Sequence, residues 1–289
     1  MDPLQEMIAR IQAGREERTV MAISSAPGRD LPGSKTCSVK NCPLCNGSGW
    51  VYWRDEEGRE YGKRCECGLV ERQIMEHKLQ FASIPEAFKD LNLRSFRLGV
   101  YQREDSRRII KDTCAAIKYY LDHLDDMRER GMGLYLYSGT KGSGKTRMAA
   151  SIANELIHVY RMQVKFAGSM QIVNEIKATW DDRTRSESDL LRALSTVQVL
   201  IIDDFGTELP KDWIGERFYS IINGRYQDKL ITFFTSNMSL PDLRYDDRIT
   251  NRIRERTFQL PFPEESVREQ IAEQNQKALI KGIKGGACD

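Results

Sequence analysis

The feature that most constrains the fold of this chain is the glycine-rich segment GTKGSGKT, residues 139–146. It fits the pattern G-x-x-x-x-G-K-[S/T] at every fixed position, with an apolar run at residues 134–137 before it and a helix-forming run at residues 148–160 after it. The glycines let the backbone curl so that successive N–H groups face a triphosphate, and the positive end of the following helix adds to the attraction. These elements predict a nucleotide-binding α/β domain.

Each residue of this phosphate loop is a candidate contact to the nucleotide. Lys145 is expected to reach the β and γ phosphates, and the hydroxyl of Thr146 is expected to ligate magnesium. A chance glycine-rich turn is the alternative, which the complete motif and its flanks disfavour. The predicted nucleotide contacts are Gly139, Thr140, Lys141, Gly142, Ser143, Gly144, Lys145 and Thr146.

Polar side chains follow two further apolar runs of the sequence. Residues 199–202 are apolar and stop at Asp203 and Asp204, as in a central parallel strand that presents oxygen ligands at its carboxyl end. We expect Asp203 to hold magnesium and Asp204 to orient and deprotonate the attacking water; helix capping is the alternative. A strand at residues 230–235 leads to Asn237, whose amide is suited to bond the γ phosphate and the water, unless it is only a turn residue.

Five of the seven cysteines are crowded into residues 37–67, which indicates a metal site in a reducing compartment and not a disulfide framework. Two pairs of cysteines, separated by 19 residues, are suited to a tetrahedral zinc site with no open position for catalysis. The predicted zinc ligands are Cys42, Cys45, Cys65 and Cys67. Cys37 and His77 are further candidates for the same site.

Three aromatic residues, Trp50, Tyr52 and Trp53, lie between the cysteine pairs in a strand-like run that turns at Glu57 and Gly58. A module this small needs its aromatic residues for a core, so we expect these rings to be buried. Stacking of the rings on nucleic-acid bases is the alternative.

The chain is long enough for one α/β domain of about 150 to 200 residues and a smaller unit. We predict an N-terminal helix and flexible linker at residues 1–36, a zinc-binding module at 37–80, a connector at 81–100 and an ATPase domain at 101–289. Within that domain a helix is predicted from an N-cap at Asp105 or Ser106 to about Arg130, with Cys114 on its buried face.

Composition excludes few functions. Charged residues make up 30% of the chain and nearly cancel, at a net charge of +2, so no global basic field indicates a nucleic-acid partner. The sequence contains no apolar run of about 18 residues and no signal-peptide pattern. We therefore expect a soluble, cytoplasmic protein.

Together these motifs resemble those of an AAA+ ATPase. The phosphate loop, the segment LIIDDFG, a strand ending in TSN and the segment RITNRI at residues 248–253 are similar to those of the bacterial helicase-loader family, which includes the DnaC and DnaI proteins and the related transposition helper IstB. The resemblance covers roughly residues 101–268. It implies a P-loop AAA+ parallel sheet flanked by helices, without a separate lid domain and preceded by a small zinc-binding module.

The resemblance also implies roles for two arginines. Arg252 matches the arginine finger, which acts on the ATP of a neighbouring subunit, with Arg248 and Arg254 as the alternatives. Arg268 resembles the terminal arginine that contacts nucleotide in place of a lid residue.

By the same resemblance the chain is an ATPase that hydrolyses ATP with Mg²⁺ and loads the replicative hexameric helicase, of the DnaB type, onto single-stranded DNA. ATP would assemble it into an oligomer, the zinc module would grip the helicase, and basic residues near Lys177, Arg183 and Arg185 would bind the DNA strand. An IstB-type regulator of a transposase, and a zinc-module adaptor that uses ATP only as a latch, are the alternatives.

Overall fold

The computed structural model describes residues 42–181, 186–208 and 211–285. Within these ranges the chain forms two compact units that meet in sequence between residues 81 and 82. The predicted N-terminal helix and linker, and Cys37, lie outside the described residues. The predicted division into four segments therefore stays a prediction.

The first unit is a hairpin and a helix built around the cysteines. Strands β1 (Trp50–Arg54) and β2 (Glu60–Arg64) pair antiparallel, with Trp53 opposite Tyr61, and helix α1 (Leu69–Ala82) follows. The turn between the strands uses Gly58 at a φ of 78°, in the left-handed region that favours glycine. The hairpin predicted around Glu57 and Gly58 is confirmed.

The expectation that the aromatic rings form the core of this unit is wrong. Trp50, Tyr52 and Trp53 are exposed, by 37%, 71% and 46% of their surface. The buried cluster instead consists of the cysteines Cys42, Cys45 and Cys65, with Val51 and Cys67 packed against it. A core of thiols leaves the faces of the hairpin open to solvent.

The second unit is a five-stranded parallel sheet with helices around it, which confirms the predicted α/β fold. The strands lie in the spatial order β4, β5, β6, β3, β7, and every neighbouring pair is parallel. Their bounds are β3 (Gly133–Tyr137), β4 (Val164–Gly168), β5 (Val199–Asp203), β6 (Ile231–Ser236) and β7 (Thr257–Pro261). Strand β7, at the edge beside β3, has no counterpart in the sequence prediction.

The helices of this unit are α2 (Glu104–Asp122), α3 (Leu124–Arg130), α4 (Lys145–His158), α5 (Ser169–Asp181), α6 (Glu187–Thr196), α7 (Asp212–Gln227), α8 (Asp247–Arg256) and α9 (Val267–Gly285). None of the helices described is long and apolar enough to cross a bilayer.

The single helix predicted up to Arg130 is wrong, because the chain changes direction at His123, whose backbone leaves the helical region at φ −115° and ψ 29°. The break turns Leu124 and Met127 into the core. The helix also begins two or three residues earlier than predicted, with Arg103 as its N-cap in place of Asp105 or Ser106. Cys114 is buried in the core, as expected.

The central strands are buried on both faces, as expected for a parallel sheet covered by helices. Leu200, Ile201 and Phe233 are each no more than 1% exposed. The guanidinium of Arg225 is also buried, and it donates to the backbone oxygens of Leu194, Val197 and Ile231. Burial lowers the pKa of Arg225 to about 9. These hydrogen bonds connect α7, which carries Arg225, to the end of α6 and to the start of β6.

The connector before α2 lies along the helix that follows the phosphate loop. It forms three short 3-10 turns, Glu86–Phe88, Leu93–Ser95 and Leu98–Val100. The amide of Asn154 in α4 donates to the backbone oxygens of Phe88 (2.9 Å) and Leu91 (2.7 Å). Its path places the connector beside the nucleotide-binding loop.

Candidate nucleotide-binding site and cysteine cluster

The phosphate loop runs from the end of β3 to the first turn of α4, and two of its glycines are required by close neighbours. Gly144, at φ 101°, would place a Cβ 2.9 Å from the hydroxyl of Tyr101. Gly142, at φ 81°, would place one 3.0 Å from Oγ of Ser266. The Tyr101 hydroxyl also donates to the backbone oxygen of Ser143 at 2.7 Å. Residues outside the motif, Tyr101 and Ser266, therefore pack against the phosphate loop.

Lys145 lies within the loop. Its side chain is buried, and Nζ donates to the backbone oxygens of Ser138 and Thr140 at 3.1 Å and to Oγ of Ser143 at 3.3 Å. Burial lowers the pKa of Lys145, although the nearby carboxylate of Asp204 opposes that shift. The ammonium group is thus placed where a bound phosphate would replace neutral backbone acceptors.

The predicted magnesium ligands lie side by side at the carboxyl end of β5. Oδ2 of Asp203 accepts a hydrogen bond from the hydroxyl of Thr146 at 3.2 Å, and Oδ1 accepts one from the hydroxyl of Thr235 at 2.6 Å. Burial raises the pKa of Asp203. Two adjacent oxygen donors, one a carboxylate, suit Mg²⁺, which binds through few protein ligands together with substrate phosphates.

Asp204 follows directly and is more exposed than Asp203. Its φ is +53°, in the left-handed region that non-glycine residues seldom adopt. The backbone N–H of Asp204 donates to the Thr235 hydroxyl at 2.9 Å, and that of Phe205 to the Thr235 backbone oxygen at 2.8 Å. Hydrogen bonds to the neighbouring strand thus impose this backbone conformation on Asp204. Strained backbone conformations of this kind often occur at functional sites.

Most of the predicted site residues line one cavity of about 430 Å³. The cavity brings together Asp204, Asn237 and Arg268 with the loop residues Lys141, Gly142, Ser143, Gly144, Lys145 and Thr146. Phe88 and Ile271 add apolar surface to it. Three other predicted residues do not line the cavity: Gly139, Thr140 and Asp203. Two of them still border it, because the Thr140 backbone oxygen accepts from Lys145 and the Asp203 carboxylate accepts from Thr146.

Sequence reasoning missed Glu264, which holds the start of the phosphate loop. Its carboxylate accepts from the Gly139 N–H at 2.8 Å and from the Thr140 hydroxyl at 2.7 Å. Partial burial opposes ionisation, but the hydrogen bonds from Thr140 and Gly139 outweigh it and lower the pKa of Glu264. No local signal marks this residue, because its partners are more than a hundred residues away in the chain.

The segment after Glu264 continues along the same loop. The Val267 N–H donates to the backbone oxygen of Gly142 at 3.0 Å, and this contact starts helix α9. It places the side-chain stem of Arg268 against Gly142. The position predicted for Arg268 from the resemblance is therefore adjacent to the loop.

Arg252 is not among the residues that line the cavity of its own chain. On α8, its Nε donates to Oδ1 of Asn223 at 2.8 Å, and its guanidinium lies over the rings of Tyr219 and Tyr226. Arg248 is more exposed and pairs with Asp246 at 2.9 Å. Arg248 and Arg254 are exposed, whereas Arg252 is half-buried and bonded to residues of its own chain.

A buried hydrogen bond links the segment that follows Asp204 to the start of α8. Glu208 accepts from the Gly206 N–H at 3.0 Å and from the hydroxyl of Tyr245. The ring of Tyr245 stacks on Phe205 with centroids 4.9 Å apart. Tyr245 immediately precedes Asp246, the N-cap of α8. The segment that carries Asp204 and the helix that carries the arginines are therefore fastened together.

The four predicted zinc ligands form one cluster, with all four Sγ atoms within 4.8 Å of one another. The Sγ atoms of Cys42 and Cys65 are 3.6 Å apart, and those of Cys45 and Cys67 are 3.7 Å apart. Sulfurs that bind one tetrahedral zinc at 2.3 Å lie roughly 3.8 Å from each other. The donor set and spacing fit zinc. In the described part of the chain this cluster does not include His77, which is exposed.

Hydrogen bonding prepares one of these thiols for a metal. The backbone N–H groups of Leu44 and Cys45 lower the pKa of Cys42 to about 7. Asn46 and Gly47, at φ 48° and 80°, form the turn that follows the first pair.

The predicted DNA-binding region is described in part. Lys177 is exposed on α5, with its ammonium 5.9 Å from the centroid of the Trp213 ring. The indole of Trp180, 55% exposed, meets Trp213 edge to face at 4.9 Å. Arg183 and Arg185 lie outside the described residues.

Comparison with known proteins gives consistent matches. The family model for IstB-like ATP binding protein matches residues 71–270, more than half of the chain. The phage-like element PBSX protein XkdC of Bacillus subtilis (strain 168) is 28% identical over 235 residues, covering 78% of this chain and 83% of that protein. Replicative helicase loader DnaI of the same organism is 35% identical over 180 residues, covering 61% of this chain and 55% of DnaI. The chain thus aligns with about half the length of that loader.

A solved structure agrees with the fold. The crystal structure of DnaI has a TM-score of 0.53 and 24% sequence identity, covering 63% of this chain and 95% of that chain. At this identity the likeness concerns the fold alone.

Proposed function

The chain belongs to the family of IstB-like ATP-binding proteins, which confirms the resemblance, and we propose that it is an ATP-dependent loader of a replicative DNA helicase onto single-stranded DNA. One observation carries the enzymatic part of the proposal. The phosphate loop, Asp204, Asn237 and Arg268 surround a single cavity of about 430 Å³. The relative named as a replicative helicase loader supports the choice of client.

Within one subunit the residues divide the work of ATP hydrolysis. Thr146 and Asp203 would hold Mg²⁺, which neutralises charge on the β and γ phosphates when bound. Lys145 exchanges its backbone acceptors for phosphate oxygens. Asp204 accepts the proton of the attacking water, and Asn237 orients that water against the γ phosphate. The shorter Asp204 takes the place where many AAA+ proteins carry glutamate.

The site needs one further cation for the charge that develops on the transferred phosphoryl group. Arg252 supplies it to the ATP of a neighbouring subunit, with Arg248 and Arg254 as the other candidates on α8. The hydrogen bond between Tyr245 and Glu208 connects the start of α8 to the segment that follows Asp204. This connection supports a role for α8 in hydrolysis. Activity therefore depends on self-assembly.

The partners follow from the two units. The cysteine module, with zinc on its four thiolates, grips the helicase, and the ATPase unit binds single-stranded DNA near Lys177, Arg183 and Arg185. The exposed lysine beside Trp213 and Trp180 supports the second assignment. The phosphates of the DNA strand supply most of the attraction to basic side chains, so the affinity for DNA falls as the salt concentration rises.

An IstB-type regulator of a transposase is the second candidate function, favoured by the family model that the chain matches. Such a regulator acts on duplex DNA. The cysteine module before the ATPase unit supports the loader instead, since it offers a second binding surface.

A reconstituted loading assay tests the proposal. The host replicative helicase is captured on immobilised protein with ATP, and its transfer to circular single-stranded DNA is then measured. Wild-type protein is expected to capture and transfer the helicase, while Asp204→Asn captures it without release. Failure to capture the helicase, together with tight ATP-dependent binding of duplex DNA, contradicts the loader and supports the second candidate.

ATP turnover distinguishes a loader from an adaptor that uses ATP only as a latch. Hydrolysis is expected to increase when single-stranded DNA or helicase is added. Negligible turnover under both conditions, with ATP still bound, supports the latch.

A further inference from the structure

One face of the β1–β2 hairpin carries two exposed aromatic rings in line. Residues two apart on a strand share a face, and directly opposite residues on paired strands share it too. Trp50, Tyr52 and Arg54 therefore share a face with their cross-strand partners. The register pairs Trp50 with Arg64, Tyr52 with Gly62, and Arg54 with Glu60.

The ring of Tyr52 lies against the strand opposite. A Cβ at Gly62 would be 3.0 Å from Cε1 and 3.1 Å from Cδ1 of Tyr52, so the missing side chain makes the space that the ring occupies. The residue is nevertheless 71% exposed, and Trp50 is 37% exposed. Tyr52 thus lies against backbone on one side and offers much of its ring to solvent.

Cationic groups flank these rings. Arg64 is opposite Trp50, and Arg54 is two residues beyond Tyr52. Arg54 pairs with Glu60, and Arg64 is 3.5 Å from Glu71, but these side chains are 47% to 71% exposed. Exposed ion pairs of this kind contribute little, so a phosphate group can displace the carboxylates. The two neighbouring rings thus have a guanidinium group near each end of this face.

We propose that Trp50 and Tyr52 form a base-stacking platform for single-stranded nucleic acid, with Arg54 and Arg64 on the phosphates. Every base offers a π-face, so such a platform is tolerant of sequence, and flanking cations follow the backbone. A stable protein partner would bury about 800 Å² on each side. Two rings on a five-residue strand match two successive bases better than they match that area. This site extends the proposed single-strand binding to a second unit of the chain.

Fluorescence anisotropy of the full-length, zinc-loaded protein with a labelled oligothymidylate measures the stacking. Tyr52→Ala is expected to weaken binding about 5- to 100-fold, the range for loss of one stacked base. Tyr52→Phe keeps the ring and the affinity. On an abasic oligonucleotide of the same length, which offers phosphates only, wild type and Tyr52→Ala are expected to bind alike. Tyr119→Ala removes another exposed tyrosine ring, from the unit that contains the phosphate loop, and serves as the matched control.

Photocrosslinking distinguishes this platform from DNA binding by the ATPase unit. An oligonucleotide containing 5-iododeoxyuridine is expected to crosslink to the peptide that contains Tyr52, and Tyr52→Ala abolishes that adduct while zinc content and basal ATP hydrolysis stay unchanged. The proposal is overturned if no adduct maps to residues 50–64, or if Tyr52→Ala binds thymidylate like wild type. Loss of helicase capture with unchanged DNA affinity would assign the rings to a protein partner. A missing adduct or unchanged thymidylate binding would leave the proposed ATPase and loading activities unaffected, because those activities are measured in separate assays.

Discussion

The hydroxyl of Thr235, at the end of β6, donates a hydrogen bond of 2.6 Å to Oδ1 of Asp203 and accepts one of 2.9 Å from the backbone N–H of Asp204. One side chain on the neighbouring strand thus holds the carboxylate of Asp203 and the backbone of Asp204. The carboxylate of Asp203 is left with Oδ2 directed to Thr146. The geometry of the metal ligands therefore depends on Thr235, the first residue of the TSN segment, for which the sequence alone indicated no role.

Thr235→Val is expected to lower ATP hydrolysis by roughly 10- to 100-fold, because a hydrogen bond to a charged group contributes about 1.5–3 kcal/mol. Binding of ATP without Mg²⁺ should change little. Thr235→Ser keeps the hydroxyl and is the matched control. Equal turnover of the valine variant and wild type would show that Asp203 needs no orientation by Thr235.

Arg252→Ala is expected to bind ATP normally and to hydrolyse it about 10³- to 10⁵-fold more slowly, the contribution of an arginine finger in related NTPases. Lys145→Ala should not bind ATP. A mixture of the two variants should recover part of the turnover, because the first offers an intact pocket and the second an intact finger. Co-assembly is verified by crosslinking, and Arg248→Ala and Arg254→Ala test the two other candidate fingers. If co-assembled mixtures stay inactive, Arg252 acts within its own chain or another arginine is the finger.

The purified, reduced protein is expected to contain about one zinc per chain, and Cys45→Ser is expected to lose it while the ATPase unit stays folded. Elemental analysis measures the metal, and ATP binding reports the second unit. Cys114→Ala is the control, since that thiol is buried in the ATPase unit and lies outside the cluster. A freshly prepared wild-type sample without metal contradicts the zinc assignment.

Glu264→Gln is expected to lower the melting temperature at pH 7, because glutamine cannot accept both hydrogen bonds of the carboxylate. The folded-state pKa of Glu264 is below its unfolded value, so its stabilising contribution is present above about pH 4.3 and is lost as pH falls through the folded pKa. The difference from wild type should therefore shrink in melts recorded below that pH. Glu269→Gln, an exposed change on α9, should show no such dependence. A pH-independent difference would mean that the charge of Glu264 contributes nothing.

Features whose chemistry is local can be predicted from the order of the residues. Eight consecutive residues form the phosphate loop, Asp203 and Asp204 end one buried run, and the cysteine pairs are close along the chain. Their spacing fixes their geometry, because a short turn or a strand end allows few conformations. The parallel sheet was predictable for the same reason, since apolar runs and turn residues define its central strands.

Tertiary structure alone decided the contacts between distant segments. Glu264 meets Gly139, Thr235 meets Asp203, and Tyr101 supports Ser143, and in each pair the partners come from different segments of the chain. Edge strand β7 and the break at His123 depend on packing, which overrides local propensity. The sequence shows that the aromatic rings of the hairpin are apolar and so predicts a core for them. Whether a ring is buried depends on which other residues cover it in the folded unit. Thiols filled that space, and the rings stayed exposed.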